Sequence, residues 1–243
     1  MRVVGIIPVR FDSRRFPGKA LAVWGGKTLL QHVFERSWGS AMLEELVIAT
    51  DDKRIYDNVV AFGAPAVITP RVYCSGTDRV AHAVSSLDCD IVVNIQGDQP
   101  LVVPQVIDQL IERLMAQPKL AAVTPVYPLD ETDDISNPNI VKVVIDSEGY
   151  ALYFSRAPIP YVRNKGEEKQ IIYKHIGIYA YRKEVLEKFA ELKPGPLETA
   201  EGLEQLRLLE NGYRIMTVPT IYDSPSIDTE EDFKKLELES RKT

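Results

Sequence analysis

Only two cysteines, Cys74 and Cys89, occur in 243 residues, and they stand without the spacing of a metal-binding pair. Neither a zinc module nor a disulfide framework therefore organises the chain. No apolar run approaches the roughly 20 residues that a membrane-crossing helix needs, which argues against membrane insertion. An excess of basic charge is missing too. The 29 Lys and Arg face 35 Asp and Glu for a formal charge of −6, which excludes a general binder of nucleic acid or anionic membrane. The phosphate-binding signature G-x-x-x-x-G-K-[ST] and the dinucleotide fingerprint G-x-G-x-x-G are both absent. Linkers, low-complexity tracts and internal repeats are absent as well, so a single domain over 1–243 is expected, with 121–215 as an elaborated second half. The amino terminus runs straight into a strand pattern without the charged and apolar regions of a secretion signal, and a reducing cytoplasm is the expected setting.

What is present is an alternation. Residues 3–8 form a short apolar strand that opens on a loop with four bases in ten residues, Arg10, Arg14, Arg15 and Lys19, interleaved with Ser13 and Gly18. Small residues let backbone N–H groups approach an anion and the bases supply charge-assisted contacts, a composition suited to polyphosphate. A helix is expected over 28–38, buried through Leu29, Leu30, Val33, Phe34 and Ser37. A strand over 46–50 follows, then a helix started by Asp51-Asp52 with Ile55, Val59, Val60 and Phe62 on its apolar face, and a strand over 66–68. Alternation at this spacing implies right-handed crossovers and an α/β fold with a mainly parallel central sheet flanked by helices.

Residues 91–100 are the most informative stretch. A β-branched run ends in Gln96-Gly97-Asp98-Gln99-Pro100, so a glycine turn delivers Asp98 at the carboxyl end of a strand, where ligands gather in open α/β sheets. A carboxylate there suits a metal ion, and it equally suits a helix cap. Ser75-Gly76-Thr77-Asp78-Arg79 is a polar turn into a helix near 80–87, with Ser75 or Thr77 as N-cap. Another helix is expected over 103–115. From 121 onward strands dominate, over 122–126, 140–146 and 150–156, the last two joined by the hairpin turn Ser147-Glu148-Gly149. A polar segment over 163–169 reads as a mobile loop, 174–181 as one strand, and 183–189 and 198–210 as helices.

Together these motifs resemble the 3-deoxy-D-manno-octulosonate (KDO) cytidylyltransferases. The residues that carry the likeness are Arg10, Ser13, Arg15 and Pro17-Gly18-Lys19; Ser75 to Arg79; Gln96-Gly97-Asp98; Gly149 to Arg156; His175-x-Gly177-x-Tyr179; Leu203-Glu204-Gln205-Leu206-Arg207; and Asp228-Thr229-x-x-Asp232. The resemblance implies a Rossmann-like nucleotide-diphospho-sugar transferase fold and CMP transfer from CTP to KDO, for lipopolysaccharide biosynthesis. It implies Mg²⁺ on Asp98 and Asp228, and a triphosphate site of Arg10, Ser13, Arg15 and Lys19, with Arg15 and Lys19 catalytic. Ser75 and Arg79 would lie near the cytidine, while Gln96, Arg156, Arg163, His175, Tyr179, Glu204 and Gln205 would line the sugar pocket. A homodimer built on the second-half hairpin is also implied. Two departures stand out: Gln99, where many members have Glu, and Ser224-Pro225-Ser226-Ile227 before Asp228, where a glycine is more usual. An 8-amino-KDO or sialic acid substrate, or CTP binding without transfer, are the alternatives.

Overall fold

The computed structural model describes residues 1–13, 15–71, 73, 75–130, 134–163 and 171–240. Strand β1 (Val3–Val9) is buried along its whole length, because its alternate residues enter two different cores. Val3, Ile7 and Val9 pack on one side of the sheet, and Val4 and Ile6 on the other. Such two-sided burial is what a central parallel strand requires. A small hairpin, β2 (Val23–Trp24) and β3 (Lys27–Thr28), leads into α1 (Leu29–Ser37), whose N-cap Thr28 accepts from the Gln31 amide. Then come β4 (Glu45–Thr50), α2 (Lys53–Ala61), β5 (Ala66–Ile68), α3 (Gly76–Val84), β6 (Ile91–Asn94) and α4 (Pro104–Ala116). Helices α1, α2 and α4 cover one face through residues such as Val33, Val59 and Leu110, and α3 covers the other through Val80 and Val84. Val60, expected on the buried face of α2, is instead 53% exposed.

The parallel strands run in the order β5, β4, β1, β6. Leaving β1, the chain builds outward to β4 and β5, then returns to place β6 on β1's other side. The loops after β1 and β6 therefore diverge at a topological switch point, the place where open α/β sheets form a crevice.

The second half extends the same sheet with β7 (Ala122–Pro128), β8 (Lys142–Ile145), β9 (Ala151–Ser155), β10 (Tyr173–His175) and β11 (Tyr179–Arg182). It continues with α5 (Lys183–Glu191), α6 (Pro196–Glu201), α7 (Leu206–Glu210), β12 (Ile215–Pro219) and α8 (Glu230–Ser240). Pairing here is antiparallel apart from β12 beside β7, so parallel order is confined largely to the first half.

Two expected elements are divided. The strand over 174–181 breaks at Ile176-Gly177-Ile178, where the register against β7 shifts, with His175 opposite Val126 but Ala180 opposite Val123. The break lets β10 pair with β8 while β11 pairs with β6, which ties the hairpin to the first half. The helix over 198–210 becomes α6 and α7, separated at Gly202, whose φ of 62° ends α6 in the left-handed conformation that glycine adopts freely. The segment expected as a mobile loop over 163–169 lies, apart from exposed Arg163, outside the described residues.

Candidate active site

A cleft of about 450 Å³ opens at the switch point, floored by the ends of β1 and β6. The two strand ends approach closely because residue 97 is glycine. A Cβ there would sit 2.7 Å from a Val9 methyl and 3.4 Å from the Pro8 carbonyl oxygen. Ten residues marked out from the sequence border the cleft: Arg10, Ser13, Arg15, Lys19, Ser75, Arg79, Gln96, Asp98, Glu204 and Asp228.

At its centre, Lys19 Nζ lies 2.6 Å from Asp98 Oδ2 and 2.9 Å from Asp228 Oδ1. Burial opposes charge on this ammonium, yet the two carboxylates outweigh it and hold Lys19 above its ordinary pKa. Burial likewise opposes charge on Asp228, and Lys19 followed by Arg15 overrides it, holding that carboxyl below its usual range. Arg15 Nη2 pairs with Asp228 Oδ2 at 2.9 Å while its Nη1 donates to Asn139 Oδ1 at 2.8 Å. Two of the bases in the loop after β1, Lys19 and Arg15, are thus docked on the carboxylates.

Asp228 is free to face the cleft because its neighbours form a capping box for α8. The Thr229 hydroxyl accepts from the Asp232 amide at 3.1 Å, and the Asp232 carboxylate accepts from the amides of Thr229 at 2.9 Å and Asp228 at 3.1 Å. Phe233 of α8 meets Phe16 of the loop after β1 edge-on at 5.8 Å, beside Leu29, Ile227 and Leu236. The chain's last helix therefore packs against its first loop, and this contact brings Asp228 to Lys19.

The opposite wall is the amino end of α3. Ser75 caps it, accepting from the Asp78 amide at 3.0 Å, and Glu204 accepts from the amides of Gly76 at 3.2 Å and Thr77 at 3.0 Å. Arg207, almost fully buried, bridges Asp78 at 3.0 Å and Glu198 at 2.6 Å. The Leu-Glu-Gln-Leu-Arg motif thus acts as a clamp on the Ser-Gly-Thr-Asp-Arg turn. The break at Gly202 makes this possible by placing Glu204 between α6 and α7. Arg79 lies beneath the cleft, its guanidinium held by Asp51 at 3.0 Å and by the Thr69 hydroxyl.

Five residues expected in the sugar pocket do not border the cleft. Arg156 is occupied by main-chain carbonyls, of Glu201 and Pro138 at 2.8 Å each and of Gly202 at 3.4 Å, so it fastens β9 to the loops around it. Arg163 points from an exposed bend. His175 packs edge-on against Phe154 at 5.0 Å and near Tyr179 at 5.3 Å, with Nε2 3.2 Å from the Thr124 hydroxyl. Burial pushes its pKa down to about 3, so the ring is neutral. Tyr179 stacks on Tyr181, and Gln205 is buried behind Glu204. Conversely, Asp12 and Tyr73 border the cleft without having been singled out; neither belongs to a periodic pattern or motif that marks it. Gln99 is buried and does not border the cleft.

A cytidylyltransferase family model matches residues 4–215. The 3-deoxy-manno-octulosonate cytidylyltransferase of Geotalea uraniireducens is 46% identical over 245 residues, covering 97% of this chain and 98% of its own. The protein of the same name from Syntrophobacter fumaroxidans is 47% identical over 237 residues, covering 96% of this chain and 95% of its own. The structure of CMP:2-keto-3-deoxy-manno-octonic acid synthetase complexed with CTP superimposes with a TM-score of 0.93 at 38% identity over 100% of both chains. With that likeness spanning the whole fold and the cleft's motifs in place, the chain belongs to the 3-deoxy-manno-octulosonate cytidylyltransferase family.

Proposed function

We propose that the chain is a cytoplasmic, Mg²⁺-dependent enzyme that transfers CMP from CTP to the anomeric hydroxyl of KDO, releasing pyrophosphate and supplying CMP-KDO for lipopolysaccharide. The observation that carries this reading is the meeting of Lys19, Asp98 and Asp228 at the mouth of the phosphate loop. The donor set fits the metal: carboxylate oxygens from two distant segments converge on one cationic group, and hard oxygen donors are what Mg²⁺ takes alongside phosphates. Asp98 and Asp228 would hold the ion, which supplies polarisation of the attacking hydroxyl and neutralisation of charge at the α-phosphate.

The protein's own groups do the rest. Lys19 and Arg15 exchange carboxylate for phosphate partners and counter the charge that develops on the leaving pyrophosphate. Arg10 and Ser13 orient the triphosphate from the same loop, and the clamped amino end of α3, with Ser75, seats the cytidine. Gln96 and Glu204 offer an amide and a carboxylate to the sugar's hydroxyls. No covalent nucleophile is needed, since the sugar hydroxyl attacks the α-phosphorus directly once positioned. The same reading assigns the β8–β9 hairpin, whose Leu152 is 59% exposed at the sheet edge, to contact with a second copy of the chain.

The test is pyrophosphate release from CTP with KDO, 8-amino-KDO or sialic acid, each with Mg²⁺ and with chelator. A metal-dependent signal with KDO is expected. A signal confined to 8-amino-KDO or to sialic acid would replace the sugar, and silence with all three, with CTP still bound, would contradict transfer.

A further inference from the structure

Asp98 and Asp228 act together only if two segments far apart in sequence keep a fixed spacing, and two hydrogen bonds join those segments. The Ile227 amide donates to the Asp98 carbonyl at 2.8 Å, and Gln99 Nε2 donates to the Ser224 carbonyl at 3.1 Å. Each bond therefore links a residue of the Asp98 turn to a residue just before Asp228. Gln99 is 2% exposed and Ser224 5% exposed, so water does not compete for the second bond.

The chemistry of that bond selects the side chain. A main-chain carbonyl only accepts, so the group facing it must donate; the amide nitrogen of Gln does, and an ionised Glu of the same shape does not. Gln99 does not border the cleft. We infer that Gln99 is a positioning residue that sets the separation of Asp98 and Asp228 through the Ser224 carbonyl. The two departures from the family pattern, at 99 and at 224–227, are then the two halves of one strut. The inference rests on the reading of Asp98 and Asp228 as the metal pair.

Two variants test it. Gln99→Glu keeps the shape and, when ionised, removes the donor, and Gln99→Met removes both polar atoms, so the second carries the test if burial protonates the Glu or unfolds the first variant. Both are compared with wild type and with Asp98→Asn for Mn²⁺ affinity in the presence of CTP by electron paramagnetic resonance, kcat, KM for the sugar acid and thermal midpoint. The strut predicts Mn²⁺ affinity and kcat lowered about tenfold or more, the usual scale for groups that orient metal ligands, with KM for the sugar acid unchanged. Wild-type Mn²⁺ affinity and kcat in a folded variant would overturn it. A change confined to KM for the sugar acid would overturn it too, making Gln99 a substrate contact. Unaltered Mn²⁺ binding by Asp98→Asn would instead remove the metal reading, and this inference with it, independently of the Gln99 variants.

Discussion

The regions around Lys19 and Lys142 hold an ammonium away from water in opposite ways. Lys19 stands between two carboxylates on separate segments, and they keep its pKa raised despite burial. Lys142 is 0% exposed and donates to three main-chain carbonyls, of Arg156 at 2.6 Å, Ile140 at 2.7 Å and Asn137 at 3.1 Å. Burial pulls its pKa below the usual value. A carboxylate can be taken over by a metal ion and an ammonium by a phosphate, so under the proposed function the partners of Lys19 are exchangeable. Main-chain carbonyls are fixed by the fold, so those of Lys142 are permanent. Arg15 and Arg156 repeat the contrast, one on Asp228 and the other on carbonyls of Glu201, Pro138 and Gly202. What each cation is bonded to, more than its type, distinguishes these positions.

The largest effects should come from the exchangeable set. Asp98→Asn and Asp228→Asn are expected to lower kcat about a thousandfold, on the scale of lost transition-state electrostatics, with thermal midpoints near wild type. Near-wild-type turnover in both would erase the difference between the regions. Lys19→Met is expected to cost kcat about a hundredfold or more with little loss of stability.

The permanent set should answer in stability. Arg207→Met leaves Asp78 and Glu198 unpaired and should destabilise by about 3–5 kcal/mol in urea unfolding. Lys142→Met removes the ammonium that ties together the carbonyls of Asn137, Ile140 and Arg156 and should cost about 3 kcal/mol, while kcat of the folded protein is retained. A large kcat loss in folded Lys142→Met would break the distinction.

The smallest effect is one of sign. From the lowered pKa of Lys142 up to the unfolded value of 10.5, the unfolded chain keeps a proton that the folded chain has released, so this residue makes stability rise with pH. Lys19 has a raised pKa; its contribution is complete below 10.5 and is lost as pH climbs through the folded value. Across alkaline pH the urea-midpoint deficit relative to wild type should therefore widen for Lys142→Met and narrow for Lys19→Met. Matching differences would contradict the assignment of the two environments.

The first-half fold was legible because its apolar residues recur at strand and helix periods, and Thr28, Asp52 and Ser75 cap the helices they precede. The motifs also located ten cleft residues, since loops after β1 and β6 must meet at a switch point. The divisions at Ile176–Ile178 and at Gly202 were hidden, because an apolar run does not disclose a register shift and one glycine inside a helical pattern does not disclose its φ. β12 and α8 were not read at all. The first is a short strand recruited by β7, and the second is an acidic helix whose main docking residues are Phe233 and Leu236. Motifs named His175, Tyr179 and Arg156 but not their partners, which depend on long-range packing.

If the ion pairs at the cleft are exchangeable, Lys19 and a divalent cation compete for Asp98 and Asp228, and Mn²⁺ binding without nucleotide reads that competition. With Lys19→Met the carboxylates lose their resident ammonium, so the dissociation constant for Mn²⁺, read by electron paramagnetic resonance, should fall about tenfold below wild type, as expected when a competing charge partner is removed. Lys142→Met should match wild type. Equal or weaker Mn²⁺ binding by Lys19→Met would show that Lys19 does not hold the metal's place, and would contradict the account.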